Sequence, residues 1–197
     1  MNITIESLIK AIENKGYVLF SNGDYNLNLI GVRTADDTAN TFNDWFCVLY
    51  KVDGQWQLNI YRCTTDPGLY YRLNPMNVSG TAILKPAQHR GCWRVGLHRG
   101  RYKALVQYES MTVYRDDNKD NKLDTDPDKE SHGMFGINCH RAREYGVSKL
   151  VDKWSAGCQV LASGDDFDEL MKLVEKSDHI YGDKFTYTLL EEHDIGD

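Results

Sequence analysis

The sequence predicts a mainly β (α+β) single domain with two peripheral helices, and three observations carry that prediction. Short runs of alternating apolar and polar residues recur along the chain, separated by turn residues. The strand–helix alternation that builds a parallel doubly wound sheet is missing. The 197 residues contain no internal repeat, low-complexity tract or Pro/Gly/Ser linker, so one domain is expected over 1–197. A sandwich or a barrel-like sheet satisfies this pattern.

The first element is a helix. Ile5, Leu8, Ile9 and Ile12 follow the i, i+3, i+4, i+7 rule of an amphipathic helix, and Gly16 stands where it ends. "DWFCVLYKVDGQWQLNIYRC" then reads as a hairpin: Asp53-Gly54 is a turn pair, and Trp56, Leu58 and Ile60 alternate with Gln55, Gln57 and Asn59. Further short strands are expected in "SGTAILKP", "CWRVGLH", "YKALVQ", "MTVYR", "GMFGINCHR" and "CQVLA". A polar connection from Glu144 to Ser155 separates the last two. In "DDFDELMKLVEKSDH", Phe167, Leu170, Met171 and Val174 share one helical face, with acidic residues in the first turn where the helix dipole favours them. "KFTYTLLEE" alternates as a closing strand.

A hydrophobic fraction of 41% is enough to bury a core, and the net charge of −6 argues against a nucleic-acid partner or an anionic membrane surface. No apolar run approaches the roughly 20 residues that span a bilayer, so no membrane insertion is expected. Glu6 and Lys10 interrupt the N-terminal apolar positions, which excludes a secretory signal there. The expectation is synthesis in the cytoplasm, with another route out for any extracellular work. Five cysteines without a Cys-x-x-Cys pair suit free thiols in a reducing compartment.

"INCHRAREYGVSKLVDKWSAGCQV" (137–160) carries the chemistry. A thiol nucleophile needs an imidazole or another positive field to form its thiolate, and donors for the oxyanion it creates. His140 ends an apolar strand, and the chain returns through a loop to Ser155-Ala156-Gly157-Cys158, so two adjacent strand ends can bring imidazole and sulfur together. Gly157 lets the backbone approach a substrate closely, and its amide can face an oxyanion. Neighbours on a strand point to opposite faces, so Cys139 faces the core if His140 faces the cleft. By the same rule His132, eight residues upstream, shares the face of His140 on an unbroken strand. The competing reading is a small buried hydrophobe at Cys158 and a satisfied strand-end histidine.

This arrangement resembles the signature of L,D-transpeptidase catalytic domains: a strand ending in His, a loop of comparable length, then Ser-x-Gly-Cys. The resemblance covers about 64–162, with "TTDPG" (Thr64 to Gly68) similar to an early Thr-Pro-x-Gly segment. The stretch 1–63 is then a helix and hairpin elaboration, and 163–197 a helix and closing strand. The resemblance implies a β-sandwich-like sheet and acyl transfer on a peptidoglycan stem peptide, with no cofactor required. It implies Cys158 as nucleophile, His140 as its base, the Arg141 backbone carbonyl orienting the imidazole, and Gly157 shaping the oxyanion hole. Ser155, which matches the motif's serine, Gln159, next to the cysteine, and His132, by strand parity, are the candidate substrate-side residues. The chain departs from the family in having Arg141 after the histidine, and Gln159-Val160 where an apolar residue and an arginine are usual. The family's substrate preference therefore does not carry over. Hydrolysis by an endolysin-like peptidase that reaches the wall through a holin, a virion or a secretion machine is favoured over cross-linking. A non-catalytic binding protein is the alternative from another class. An activated Cys158 is expected to alkylate below the pH of an ordinary thiol.

A second constellation, "RDDNKDNKLDTD", sets Asp116, Asn118, Asp120, Lys122 and Asp124 at positions 1, 3, 5, 7 and 9 of an EF-hand-like loop, a candidate calcium site. It lacks the turn glycine and the bidentate glutamate. His89 and His98 flank a basic stretch that is a candidate grip for a carboxylate. Tyr70 and Tyr71 offer a platform for a sugar or peptide, or simply packing.

Overall fold

The computed structural model describes residues 1–36 and 40–196. It is mainly β. Helix α1 (Ile5–Asn14) is opened by Thr4, whose hydroxyl accepts from the Ser7 amide at 3.1 Å while Ser7 Oγ accepts from the Thr4 amide at 2.9 Å. Next come β1 (Asn28–Arg33), β2 (Asp44–Val52), β3 (Gln55–Thr64), the short α2 (Leu69–Leu73), β4 (Thr81–Leu84), β5 (Ala87–His98), β6 (Tyr102–Gln107), β7 (Met111–Asp116) and β8 (Glu130–Gly133). The chain continues through β9 (Cys139–Arg141), β10 (Gln159–Leu161), α3 (Gly164–Tyr181), β11 (Lys184–Glu191) and α4 (Glu192–Ile195).

Eight strands close a barrel-like sheet in the order β1-β11-β5-β6-β9-β10-β3-β2, and β4-β7-β8 form a separate three-stranded sheet. The β2–β3 hairpin turns on Asp53 (φ 50°) and Gly54 (φ 74°), the left-handed pair that a two-residue hairpin requires. Two pairings are parallel, β1 with β11 and β9 with β10.

Inside the barrel, Tyr187 stacks on Trp93 (4.4 Å) and on Phe46 (5.8 Å). Gly31 makes room for it, since a Cβ there would meet Tyr187 Oη at 1.9 Å. Leu8 and Ile12 of α1 cover the outer side of β1 and β2 through Ile30, Val32, Cys47 and Leu49. Strand β1 is therefore buried on both faces, which removes the period of two by which a half-buried strand is recognised. Helix α3 starts three residues after β10, capped by Ser163, whose Oγ accepts from the Asp166 amide at 3.2 Å. It packs across β9 and β10 and joins them to the core through Phe167, Leu170 and Val174.

One strand expectation is corrected. "GMFGINCHR" is not continuous: β8 ends at Gly133, and β9 starts at Cys139 in the other sheet. Between them Gly136 turns the chain at φ 73°, and the Gln107 side chain takes over the role of a strand partner. Its Oε1 accepts from the amides of Phe135 (3.0 Å) and Ile137 (2.9 Å), and its Nε2 donates to the Gly133 carbonyl at 3.0 Å. Trp93 Nε1 donates to the Ile137 carbonyl at 2.7 Å. This bridge sets the approach to β9, and hence to His140.

Candidate active site

His140 and Cys158 lie on neighbouring strand ends. The parallel ladder pairs Cys139 with Gln159 and His140 with Val160, so Cys158, two residues before Val160, shares the face of His140. Cys139 and Gln159 take the opposite face and are fully buried, Cys139 in the barrel core.

The imidazole is held in one tautomer. His140 Nδ1 lies 2.9 Å from the Arg141 carbonyl oxygen, which can only accept, so Nδ1 carries the proton and Nε2 keeps its lone pair. Tyr102 Oη donates to the same carbonyl at 3.3 Å. His98 stacks on His140 with ring centroids 4.0 Å apart, and its Nδ1 faces Asn138 Nδ2 at 3.3 Å. Because Asn138 Oδ1 accepts from the Gln107 amide at 2.8 Å, its amide group donates to His98. His140 is 3% exposed. Burial, with help from His98 and Arg99, pushes it down to about 3 against the pull of the Arg141 carbonyl. The imidazole is neutral across the physiological range.

Cys158 is half-buried, and its thiol donates to the Gly136 carbonyl at 3.3 Å. Burial pushes the thiol above its ordinary value, while the Asn138 backbone amide and the cation of Arg99 favour the thiolate. Arg99 sits at φ 50° in the turn between β5 and β6, exposed and close enough to act on Cys158, His98 and His140 alike. At rest both groups are thus neutral, the thiol held on the Gly136 carbonyl and the imidazole on the Arg141 carbonyl. This reverses the alkylation expected from sequence: native Cys158 should react with iodoacetamide only as pH rises past the range of an ordinary thiol. Because Cys47, Cys63, Cys92 and Cys139 are buried, mass spectrometry of the native protein should show a single adduct.

The turn bearing Cys158 is braced from behind. Ser155 Oγ donates to the Cys158 carbonyl at 2.8 Å and accepts from the Gly157 amide at 3.1 Å. Gly68 N donates to the Ser155 carbonyl at 2.9 Å, which lays the "TTDPG" segment against the turn. Gln159 Nε2 reaches the carbonyls of Thr65 (3.4 Å) and Gly157 (3.3 Å), and its Oε1 accepts from Tyr187 Oη at 2.7 Å. Gly157 has φ +122°, and a Cβ there would lie 2.6 Å from the Ala82 carbonyl oxygen of β4. Gly157→Ala combines a forbidden conformation with a backbone clash. It should cost about 2–4 kcal/mol in chemical denaturation and move Cys158 out of line.

Three expectations change here. Ser155 and Gln159 are both 0% exposed, so they position the turn and are closed off from a substrate. The Gly157 amide is committed to Ser155, which leaves the Cys158 amide as the candidate oxyanion donor. His132 is exposed on β8 of the other sheet, where Nδ1 faces Thr112 Oγ1 at 3.0 Å, because the strand that would have carried it to His140 is broken.

The calcium loop also folds differently. Asp116 is fully buried and accepts from Arg72 Nε at 2.9 Å, so a guanidinium stands where the first carboxylate would meet a cation. Asp120 closes the loop by accepting from the Lys122 amide (2.7 Å) and the Asn118 side chain (3.1 Å). Among the described residues, the one cluster of three ligand atoms within 4.8 Å is Glu191, His193 and Asp194, near the C-terminus. It involves none of Asp116, Asn118, Asp120, Lys122 and Asp124.

Asn138, Arg99 and Tyr102 were not assigned to the site from sequence, and His98 was offered as a carboxylate grip and not as a partner of His140. A histidine at a strand end beside a hairpin turn was the one available signal. Beside the turn, a groove of about 270 Å³ runs from Ala156 over Ala82 to Met134, Phe135 and Arg115. Among the described residues no helix is long and apolar enough to cross a membrane. Compared with protein-family models, characterised proteins and solved structures, the chain gives no match.

Proposed function

We propose that the protein is a cysteine-dependent acyl-transfer enzyme acting on peptidoglycan stem peptides, with water as the favoured acceptor. One observation carries the reading. A tautomer-fixed, neutral imidazole and a half-buried thiol share one face of two adjacent strand ends, beside an open groove. The resemblance of the His and Ser-x-Gly-Cys segments to L,D-transpeptidase domains supports the substrate class. Strand β4 of the three-stranded sheet lies against the same turn through the Ala82 carbonyl.

In this mechanism the substrate carbonyl enters from the groove and displaces the thiol from Gly136. His140 Nε2 takes the Sγ proton as sulfur forms its bond to the carbonyl carbon. The oxyanion receives the Cys158 amide, and the Arg99 field favours the negative charge as it develops. Collapse breaks the C–N bond, and the leaving amine takes the proton from His140. The restored neutral imidazole then deprotonates water, which releases the acid and regenerates the thiol. An amine in place of water gives a cross-link from the same acyl-enzyme.

Mass spectrometry of purified peptidoglycan digested with wild type and with Cys158→Ala tests this. New stem-peptide fragments from wild type alone support hydrolysis, and new cross-links support transpeptidation. Identical profiles across pH 5–9 would sink both and favour a binding protein. The raised thiol, hydrogen-bonded to Gly136 at rest, is the observation on that side.

A further inference from the structure

The groove beside Ala156 contains a cation that the fold does not neutralise. Arg115 Nε donates to Ser131 Oγ at 3.3 Å and Nη1 to the Gly80 carbonyl at 3.3 Å, and the guanidinium lies 4.7 Å over the Phe135 ring. Two of its five donors are thereby fixed, with the plane held by an aromatic face. Among the described residues Arg115 has no ion pair. Two acids line a surface pocket with it, and both are taken: Asp117 by Lys129 at 2.7 Å, and Glu130 by Lys85. In a chain of net charge −6, a half-buried arginine without a carboxylate is unusual enough to need an account.

Its place in the fold gives one. Arg115 is the ladder partner of Ala82, and Ala82 is the residue whose carbonyl lies against Gly157. Antiparallel partners sit about 5 Å apart, so the arginine is one strand beyond the nucleophile turn. Met134, 57% exposed, Phe135 and Ala82 line the stretch between as an apolar wall. A group bound there is a short aliphatic arm ending in an anion.

We propose that this groove is a carboxylate subsite, in which Arg115 receives a free carboxylate borne by the peptide whose carbonyl Cys158 attacks. The assignment rests on the acyl-transfer reading for the orientation of that peptide. It makes Arg115 a specificity-determining residue, one that separates stem peptides with a free side-chain carboxylate from those in which it is amidated. Met134 and Phe135 cover the methylene arm, and the guanidinium fork takes the two oxygens.

The test uses two synthetic stem peptides that differ only in one side-chain group, carboxylate or carboxamide. Binding is measured to Cys158→Ala and to Cys158→Ala carrying Arg115→Gln or Arg115→Lys, each checked for an unchanged melting temperature. The carboxylate peptide should bind the Arg115 protein about 10- to 100-fold more tightly than the amide. Arg115→Gln should remove that preference by weakening the carboxylate peptide alone, and Arg115→Lys should keep part of it. Equal binding of the two peptides, or a preference that survives Arg115→Gln, overturns the subsite. Turnover by proteins that retain Cys158 separates the two claims. A carboxylate preference in binding without Cys158-dependent turnover upholds the subsite and removes the enzyme. Turnover that ignores both the amide and Arg115 upholds the enzyme and removes the subsite.

Discussion

His140→Gln should lower kcat on a stem peptide by about 10²- to 10⁴-fold with KM little changed, the loss typical of a missing general base. Glutamine can keep the hydrogen bond to the Arg141 carbonyl, but it cannot take the Sγ proton. Steady-state kinetics on one defined peptide checks this, and an unchanged kcat would contradict the role. The same residue leaves a mark on stability. Folded His140 sits near 3 against an ordinary 6.5, so the unfolded chain accepts a proton that the native protein refuses. Its contribution is complete above about pH 6.5 and is lost progressively as pH falls toward 3. Between pH 7 and pH 5 wild type should lose about 2 kcal/mol more than His140→Gln in urea unfolding. Taking the difference matters, because buried Asp66 is pushed up to about 7 and pulls in the opposite direction. It also removes the shared contribution of His89, pushed down by burial.

The second large effect lies under the groove. Arg72 and Asp116 are both 0% exposed and joined at 2.9 Å, and Arg72 Nη1, Arg72 Nη2 and Asp116 Oδ1 are buried without a hydrogen-bond partner among the described residues. Arg72→Met leaves a buried carboxylate alone. It should cost about 3–5 kcal/mol, or roughly 10 °C in Tm for a chain of this size. Arg72→Met with Asp116→Leu should recover most of the loss, because the desolvation penalty disappears with the charge. A single variant as stable as wild type would contradict the burial of the pair. The pair ties α2, whose Tyr71 lines the groove, to the end of β7, so the single variant should also raise KM. With the guanidinium beside Asp116, a chelator should leave the wild-type Tm unchanged. A Tm that falls with chelator would restore the calcium loop.

Much of the fold was legible because local chemistry wrote it. The β2–β3 hairpin follows from alternation on either side of Asp53-Gly54, and α3 from an apolar face with acidic residues in its first turn. Strand β1 was missed because both of its faces are covered, and period two disappears when both faces are apolar. The segment after β8 was misread because its amides are satisfied by Gln107 and its Ile137 carbonyl by Trp93, distant side chains that no local pattern announces. The site divides in the same way. Cys158, His140 and the Arg141 carbonyl follow from motif and strand parity. His98 and Arg99 arrive through the pairing of β5 with β6 and of β6 with β9. Ser155 and Gln159 looked like substrate contacts because they flank the nucleophile. Their hydrogen bonds to the turn, and that of Tyr187 to Gln159, show why polar residues sit there.

The central claim is that Cys158 is the nucleophile and is acylated by a stem peptide. Intact-protein mass spectrometry after acid quench, with peptide mapping, tests it most directly. Wild type mixed with excess stem peptide should gain the mass of the acyl fragment on the peptide containing Cys158. His140→Gln should gain it far more slowly, and Cys158→Ala not at all. An adduct on another residue, or stem-peptide turnover that persists in Cys158→Ala, would contradict the account.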